Sequence, residues 1–229
     1  MCIRDRSCHG NGMAYARDIT RDVGRYRGHK MGFGTGDLAC ASDAYEEKHG
    51  EDSSHQVLLR WRQTSPLGRV LDVGCSDGYL AGELRALGHH VTGVDLRAHD
   101  GVKERVDHFV PADLDQGLPE EIEGPFDLVV LADVLEHTRD PLGLLAELRT
   151  RIGPATRVLV GVPNFGHWYP RARVAVGRFD YDRRGILDRD HVRFFTKRSF
   201  ERVIAEAGYR VVQQRGTGLP LEVAERGAD

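Results

Sequence analysis

A glycine turn preceded by an acidic residue is the feature of this sequence that most clearly suggests chemistry. The apolar run Val70-Leu71-Asp72-Val73 leads into Gly74-Cys75-Ser76-Asp77-Gly78, and glycines at such a place let the backbone approach a ligand. A carboxylate beside the turn would repel a pyrophosphate, but it suits a ligand that carries ammonium and sulfonium charges. The candidate binding residues of this turn are Asp72, Gly74, Cys75 and Gly78.

The spacing of the turn excludes two other kinds of nucleotide site. A dinucleotide-binding fingerprint would place glycine at positions occupied here by Ser76 and Tyr79, and no Gly-Lys-Ser/Thr follows to grip a phosphate. The turn therefore predicts a different class of ligand.

Two further carboxylates follow the next two predicted strands. Asp95 comes about 20 residues after the turn, where a carboxylate can accept both hydroxyl protons of a ribose. Asp113 is placed to accept from an adenine amino group, with Leu114 against the base. The three acids together predict a nucleoside site, although each one alone could simply cap a turn or be a solvated carboxylate.

Short β-branched runs that alternate with helical patterns predict an α/β fold, with a Rossmann-like, doubly wound, mostly parallel sheet and helices on both faces. The predicted strands are residues 69–73, 91–94, 108–110, 126–131, 157–162 and 209–213. Helices are predicted after the first strand, after the fourth and before the last, and a further one at 55–61. The residues that mark the first three are Leu80, Leu84, Leu87 and Gly88, then Asp140 and Pro141, then Thr196 and Gly208.

Four segments, LDVGCSDG, GVDL, ADLD and FDLVVLADVLEHTRDP, together resemble the motif series of class I S-adenosylmethionine-dependent methyltransferases. The resemblance covers roughly residues 45–216. The later segment that begins PNFGHWYPRARVAVGRFDYDRRG is similar to bacterial methyltransferases associated with glycosyltransferases, and PNFGHW is shared with MetW-like proteins.

The resemblance implies S-adenosylmethionine as the cofactor and gives each candidate residue a role. Ser76 departs from the pattern, because the family commonly has glycine there; its small side chain fits but loosens the turn. The implied roles are the methionine part for Asp72, Gly74 and Gly78, the ribose for Asp95, the adenine for Asp113 and Leu114, and the cleft beside the sulfonium for Ala132 and Asp133; Cys75 and Leu96 are further predicted cofactor-binding residues.

The long connection at residues 163–195 is predicted to be a loop that binds the methyl acceptor, since ligands of open α/β sheets lie above the carboxyl ends of the strands. Its aromatic and polar residues suit a sugar or a phenol-like acceptor. His191 is the first candidate base and His167 the second, because an imidazole can take a hydroxyl proton near neutral pH. The alternative is a histidine that orders the loop. Its arginines could attract a phosphate or form a solvated face.

Glu136-His137 follows the fourth predicted strand, and we predict a structural role for it at the start of a helix. A metal held by these two residues and Asp133 is conceivable. No second cluster of ligands is in view, so no metal is predicted.

These features predict an enzyme that transfers a methyl group to a small-molecule acceptor, first of all by O-methylation of a sugar or glycan precursor. The alternative is a MetW-like regulatory partner that binds the cofactor with little turnover. A nucleic-acid methyltransferase is disfavoured by the balance of 32 basic and 35 acidic residues,, and because Val162-Pro163-Asn164-Phe165 follows the fifth strand rather than the fourth.

The 229 residues are predicted to comprise a loosely ordered lead-in at 1–41, a methyltransferase domain at 42–216 and a tail at 217–229. The opening Met1-Cys2-Ile3-Arg4-Asp5-Arg6 resembles a translated sequencing adapter, and the tail predicts that the last antiparallel strand is lacking. The scattered cysteines predict a cytoplasmic location, and the lack of a long apolar run predicts no membrane span. The chain is predicted to be a monomer or a homodimer.

Overall fold

The computed structural model describes residues 67–122, 124–182 and 185–216. The strands of this part are β1 (Arg69–Val73), β2 (His90–Asp95), β3 (His108–Pro111), β4 (Leu128–Ala132) and β5 (Arg157–Gly161). Its helices are α1 (Tyr79–Ala86), α2 (Val102–Arg105), α3 (Pro141–Arg151), α4 (Trp168–Ala175) and α5 (Lys197–Glu206), with a short 3-10 helix at Leu114–Gln116. The strands form one parallel sheet in the order β3-β2-β1-β4-β5, which confirms the predicted fold class.

The sheet separates two apolar layers. Successive residues of a strand face opposite sides, so Val70 packs with residues of α1 and α2, whereas Leu71 packs with residues of α3 and α5. Burial on both faces explains why β1 and β4 are almost continuously apolar. Because all five strands are parallel, their carboxyl ends lie along one edge of the sheet.

Two of the predicted helix starts are confirmed in detail. Asp140 Oδ1 accepts a hydrogen bond of 2.9 Å from the Gly143 N–H ahead of Pro141. Thr196 and Ser199 form a reciprocal capping box at the start of α5. The spacing of Leu80, Leu84 and Leu87 predicts one apolar stripe on α1. For Leu87 this is wrong, because its side chain is 45% exposed just beyond the end of the helix.

Two other expectations also need correction. Residues 209–213 form no strand; Tyr209 instead donates to the Leu145 carbonyl oxygen at 3.0 Å, while Val211 and Val212 are exposed. A strand there would have to pair with another strand. In the described residues β5 pairs only with β4 and forms one lateral edge of the sheet. The connection at 163–195 is not a plain loop, because it contains α4.

The remaining predictions fall elsewhere in the chain. The helix at 55–61, a possible strand at 219–224, the lead-in and the tail lie outside the described residues. In the part of the chain that is described, no helix is long and apolar enough to cross a membrane.

Candidate functional site

The glycine turn, residues 74–78, is bound to the end of β2 by the main chain. The N–H groups of Gly74 and Cys75 both donate to the Val94 carbonyl oxygen, at 2.7 and 3.1 Å. Gly74 has φ +72°, and a Cβ atom there would lie 2.5 Å from Cγ2 of Val134. Both the left-handed backbone and the close neighbour therefore require glycine at this position.

Ser76 shows what its departure from the family pattern means. Its φ of +50° lies in the left-handed region, which costs a residue with a Cβ atom about 1 kcal/mol or more. The Ser76 N–H donates to Asp95 Oδ2 at 2.8 Å. A carboxylate at the end of β2 thus holds the turn in a conformation that glycine would adopt without strain.

Asp72 is a buried carboxylate in the central strand β1, close to the carboxyl end of that strand. Its side chain is 2% exposed, and Oδ2 accepts no hydrogen bond from any described residue. Burial, and secondly the negative charge of Asp95, raise the pKa of Asp72 to about 7. A cation bound beside Asp72 would stabilise its charged form, so the residues present fit a ligand with ammonium and sulfonium charges.

Asp95 and Leu96 complete the end of β2. Asp95 is half-buried; while Oδ2 accepts from the turn, Oδ1 accepts no hydrogen bond from the described residues. The Leu96 side chain is 66% exposed, so it is available to cover a ligand. The predicted roles of both residues are compatible with this geometry and stay predictions.

Asp113 and Leu114 follow β3 in a different way. Asp113 is exposed, and its Oδ1 accepts from the Asp115 N–H at 3.0 Å, which caps the 3-10 helix. The half-buried Leu114 packs against the core. One oxygen of Asp113 therefore performs the capping role that the sequence left open, and its contact with an adenine stays a prediction.

Ala132 and Asp133 end β4 in the middle of the sheet. Asp133 has φ +56°, and its N–H donates to the Gly161 carbonyl oxygen at 3.0 Å. Strained residues of this kind cost about 1–3 kcal/mol and cluster at functional sites. Ala132 is half-buried and packs against the apolar layer that contains Val70.

Aromatic rings gather in residues 163–195, which we call the acceptor segment. The aromatic cluster consists of Phe165, Phe179, Tyr181 and Phe194. Phe165 lies 5.2 Å from Phe194 between ring centroids, and Phe179 lies 5.7 Å from Tyr181. Phe179 and Tyr181 remain 47% and 55% exposed, so the cluster offers ring faces to a ligand.

Arg173 is one of the arginines for which the sequence left open a phosphate-binding role or a solvated surface, and the structure buries it. Its side chain is 1% exposed and pairs with Asp182 at 2.5 Å and with Asp180 at 3.8 Å. It also donates to the Tyr169 hydroxyl oxygen at 3.2 Å. Arg173 therefore fastens α4 to the following loop. No charge pattern in the sequence distinguishes it from the exposed Arg171.

His191, the first candidate base, is 8% exposed and lies against His137 with ring centroids 4.8 Å apart. Burial, followed by the charge of His137, lowers the pKa of His191, whereas the negative charge of Asp133 raises it. His191 thus lies within electrostatic reach of the end of β4. Its ring also approaches Phe194, at 6.3 Å between centroids.

Glu136 and His137 lie in a turn before α3 and not at the start of that helix, so this prediction was wrong. The structure brings both residues to His191, 54 positions further along than His137. Sequence spacing alone did not reveal this, because the two segments meet only through the tertiary fold.

His167, the second candidate base, precedes α4. Its Nδ1 accepts a hydrogen bond of 3.4 Å from the Tyr169 N–H and so caps the helix. This contact uses a lone pair that a base on Nδ1 would need. Its catalytic role stays a prediction.

The site has the glycine turn with Asp72 and Asp95 at one end, and the aromatic cluster with His191 at the other. A family model described as a methyltransferase domain matches residues 45–214. The chain belongs to this methyltransferase domain family. S-adenosylmethionine is the cofactor of these methyltransferases, and the buried Asp72 and the glycine turn fit it.

Known relatives share the fold and part of the sequence of this methyltransferase. It is similar to a ubiquinone biosynthesis O-methyltransferase of Aeromonas salmonicida, with 29% identity over 42% of this chain and 43% of that protein. The match thus spans less than half the length of that relative. A solved magnesium protoporphyrin IX methyltransferase of Synechocystis with bound S-adenosylhomocysteine has 16% identity and a TM-score of 0.58, covering 90% of this chain and 94% of that one.

A second solved structure is a 1,6-didemethyltoxoflavin-N1-methyltransferase of Burkholderia thailandensis, with bound S-adenosylhomocysteine and its own acceptor. It has 19% identity and a TM-score of 0.56, and the match covers 94% of this chain and 87% of that one. At these identities the two structures show the fold alone.

Proposed function

We propose that this chain transfers the methyl group of S-adenosylmethionine to a hydroxyl group of a small acceptor, with a sugar or glycan precursor as the first candidate. The observation that carries the proposal is the buried Asp72 carboxylate, whose Oδ2 has no hydrogen-bond partner among the described residues. It lies two residues before the first glycine of the turn.

The cofactor-binding residues divide the work along the sheet edge. Asp72 and the glycine turn hold the methionine part, and Oδ1 of Asp95 accepts from the ribose. Asp113 and Leu114 border the adenine, while Ala132 and Asp133 line the cleft next to the sulfonium. When bound, the cofactor supplies a methyl carbon already activated by its sulfonium, so the chain chiefly has to align the acceptor and exclude water.

The acceptor segment supports an acceptor with one apolar ring face and several polar groups. The exposed faces of Phe179 and Tyr181 can pack against the C–H face of a sugar ring or against a phenol. The arginines support a phosphate less than the sequence suggested, because Arg173 is already neutralised by Asp182 and Arg178 lies 3.5 Å from Asp180. A neutral sugar is therefore preferred over a nucleotide sugar.

His191 is the first candidate for taking the proton from the acceptor, because its ring lies 6.3 Å from that of Phe194 in the aromatic cluster, measured between centroids. His167 is the second candidate. The proposed cofactor site does not depend on either histidine.

Calorimetric titration with S-adenosylhomocysteine tests the cofactor site. We expect Asp72→Asn and Asp95→Asn each to weaken binding by about 1.5–3 kcal/mol, or roughly 10- to 150-fold, because each removes a charged acceptor. Asn at position 95 can still accept from the Ser76 N–H, so the turn is preserved. The exposed Asp100→Asn is the control. Equal affinity in all four proteins would refute the assignment.

Methyl transfer is measured separately with methyl-labelled S-adenosylmethionine and a panel of hexoses, nucleotide sugars and phenols. Labelled product with a neutral sugar supports the proposal, and product with a phenol corrects the acceptor class. Cofactor binding without any turnover, together with a stable complex with a biosynthetic enzyme, would favour the MetW-like regulatory alternative.

A further inference from the structure

Three side chains with metal-binding atoms meet between the end of β4 and the acceptor segment. Glu136, His137 and His191 each contribute one ligand atom, and these atoms lie within 4.8 Å of one another. Glu136 is 1% exposed, His191 is 8% exposed, and His137 is open to solvent. A buried carboxylate beside two imidazoles is one of the ligand sets that bind divalent transition metals in proteins.

The orientation of both imidazoles is set by backbone carbonyl groups. Nδ1 of His137 lies 3.1 Å from the Asp190 carbonyl oxygen, and Nδ1 of His191 lies 3.3 Å from that of Ile186. A carbonyl oxygen can only accept, so Nδ1 is the protonated nitrogen of each ring. In the neutral rings the free lone pair is then on Nε2. Metal-binding histidines are commonly oriented by such a contact on the other ring nitrogen.

The main chain holds the two ligand-bearing segments together. The Val192 and Arg193 N–H groups both donate to the Glu136 carbonyl oxygen, at 2.8 and 3.0 Å. The proximity of the three side chains therefore comes from paired backbone as well as from their own conformations. Zinc ligands at about 2.0–2.1 Å from the ion are roughly 3.3 Å apart in a tetrahedral site. Ligand atoms that lie within 4.8 Å of one another must therefore approach by up to about 1.5 Å, which the exposed His137 can accommodate.

From this arrangement we propose that Glu136, His137 and His191 bind one divalent transition-metal ion, with zinc as the first candidate. Three protein ligands leave at least one coordination position for a water or an oxygen of another molecule. Glu136 and His137 come shortly after the end of β4, and the ring of His191 lies 6.3 Å from that of Phe194 between centroids, so the ion would lie next to the proposed acceptor site.

The chemical role of the ion rests on the proposed function. A divalent ion lowers the pKa of a hydroxyl group that it binds, so the acceptor proton passes to solvent. The acceptor oxygen then forms the new C–O bond to the methyl carbon, the C–S bond breaks, and its electron pair stays on sulfur. His191 would in that case be a metal ligand and not the base.

Titration of the metal-free full-length chain with Co²⁺, followed by visible absorption and then by displacement with Zn²⁺, tests the site. We expect one equivalent of bound Co²⁺ and a loss of affinity of about tenfold or more in His137→Ala and in His191→Ala, since each removes a ligand. His108→Ala, an exposed histidine at the start of β3, is the control and should bind as the original chain does. The other histidines and cysteines of the chain contribute the same background in every protein.

The exposed His137 makes the decisive variant, because its replacement leaves the core intact; circular dichroism and thermal unfolding check this. If His137→Ala and His191→Ala bind Co²⁺ as well as the original chain does, the site is refuted. Binding no tighter than about 1 mM in the original chain also refutes it.

Titration with S-adenosylhomocysteine before and after metal removal separates the two proposals. Cofactor binding and methyl transfer that persist unchanged without metal would refute the catalytic role of the ion and leave the proposed function intact. An absence of cofactor binding in both states would refute the proposed function, whereas the Co²⁺ titration would still decide whether the site exists.

Discussion

The cofactor edge of the sheet and the acceptor segment are built on different principles. At the carboxyl-end edge, backbone N–H groups of the glycine turn donate to the end of β2: Gly74 to the Val94 carbonyl oxygen and Ser76 to the Asp95 carboxylate. In the acceptor segment, side chains make contacts with one another. The buried Arg173 pairs with Asp182, and the rings of Phe165 and Phe194 meet across the segment.

This difference has a consequence for specificity. The edge presents fixed groups because parallel strands place consecutive carboxyl ends side by side, which suits a cofactor that never varies. The acceptor segment depends on long side chains and half-exposed rings, and these can change without disturbing the sheet. The same fold can therefore serve different acceptors by variation in the second region alone.

The largest effect expected of a single substitution concerns the ion pair that holds the acceptor segment. Arg173→Ala leaves Asp182 without its cation and should lower the free energy of unfolding by about 3 kcal/mol. The matched Arg171→Ala, on the exposed side of α4, should change it by about 0.5 kcal/mol or less. Urea unfolding measures both. The affinity of Arg173→Ala for S-adenosylhomocysteine should remain close to that of the original chain if the two regions are independent. A large loss would break the distinction between them.

The next effect concerns the pH dependence of the cofactor edge. The pKa of Asp72 is raised from 3.8 to about 7 in the folded chain, so folding favours its protonated form. Its contribution to stability is present below about pH 4 and is lost as the pH rises to about 7, by about 1.4 kcal/mol for each pH unit.

Unfolding measured between pH 4.5 and 8 should show this loss in the original chain without ligand and not in Asp72→Asn. S-adenosylhomocysteine at pH 8 should recover part of it by pairing with the ionised carboxylate. Parallel pH profiles for the two proteins would mean that Asp72 titrates normally.

The smallest expected effect concerns Ser76 in the glycine turn. Ser76→Gly should raise the free energy of unfolding by up to about 1 kcal/mol, because relief of the left-handed strain exceeds the entropy cost of glycine in the unfolded chain. Ser199→Gly is a contrasting control, since it removes a side chain of the capping box in α5 and should lower stability by about 1 kcal/mol. A Ser76→Gly protein less stable than the original would show that the Ser76 side chain contributes more than its strain costs.

Much of the fold follows from the sequence, because its signals are local. The run from Val70 to Val73, the N-cap Asp140 and the capping residue Thr196 each predict their element from neighbours within a few positions. The sixth strand failed for a related reason: Tyr209 and Val211 have strand propensity, but a strand also requires a partner, and propensity carries no information about partners.

The candidate cofactor residues were predictable because strand order and spacing put carboxylates at successive strand ends. The burial of Arg173 was not predictable, since no sequence pattern distinguishes buried from exposed arginines in this segment. Nor was the meeting of His191 with Glu136 and His137, which depends on backbone pairing between distant segments.

The sequence by itself determined the parallel α/β architecture, the glycine turn and the acidic residues at or near the carboxyl ends of β1, β2 and β3, because each of these depends on residue type and short spacing. The tertiary structure alone decided which charges are buried, how far the pKa of Asp72 moves, and which residues of the acceptor segment face one another. The reason is physical: burial and long-range contact depend on the whole packed chain, whereas turns, caps and strand patterns are determined by the few residues that form them.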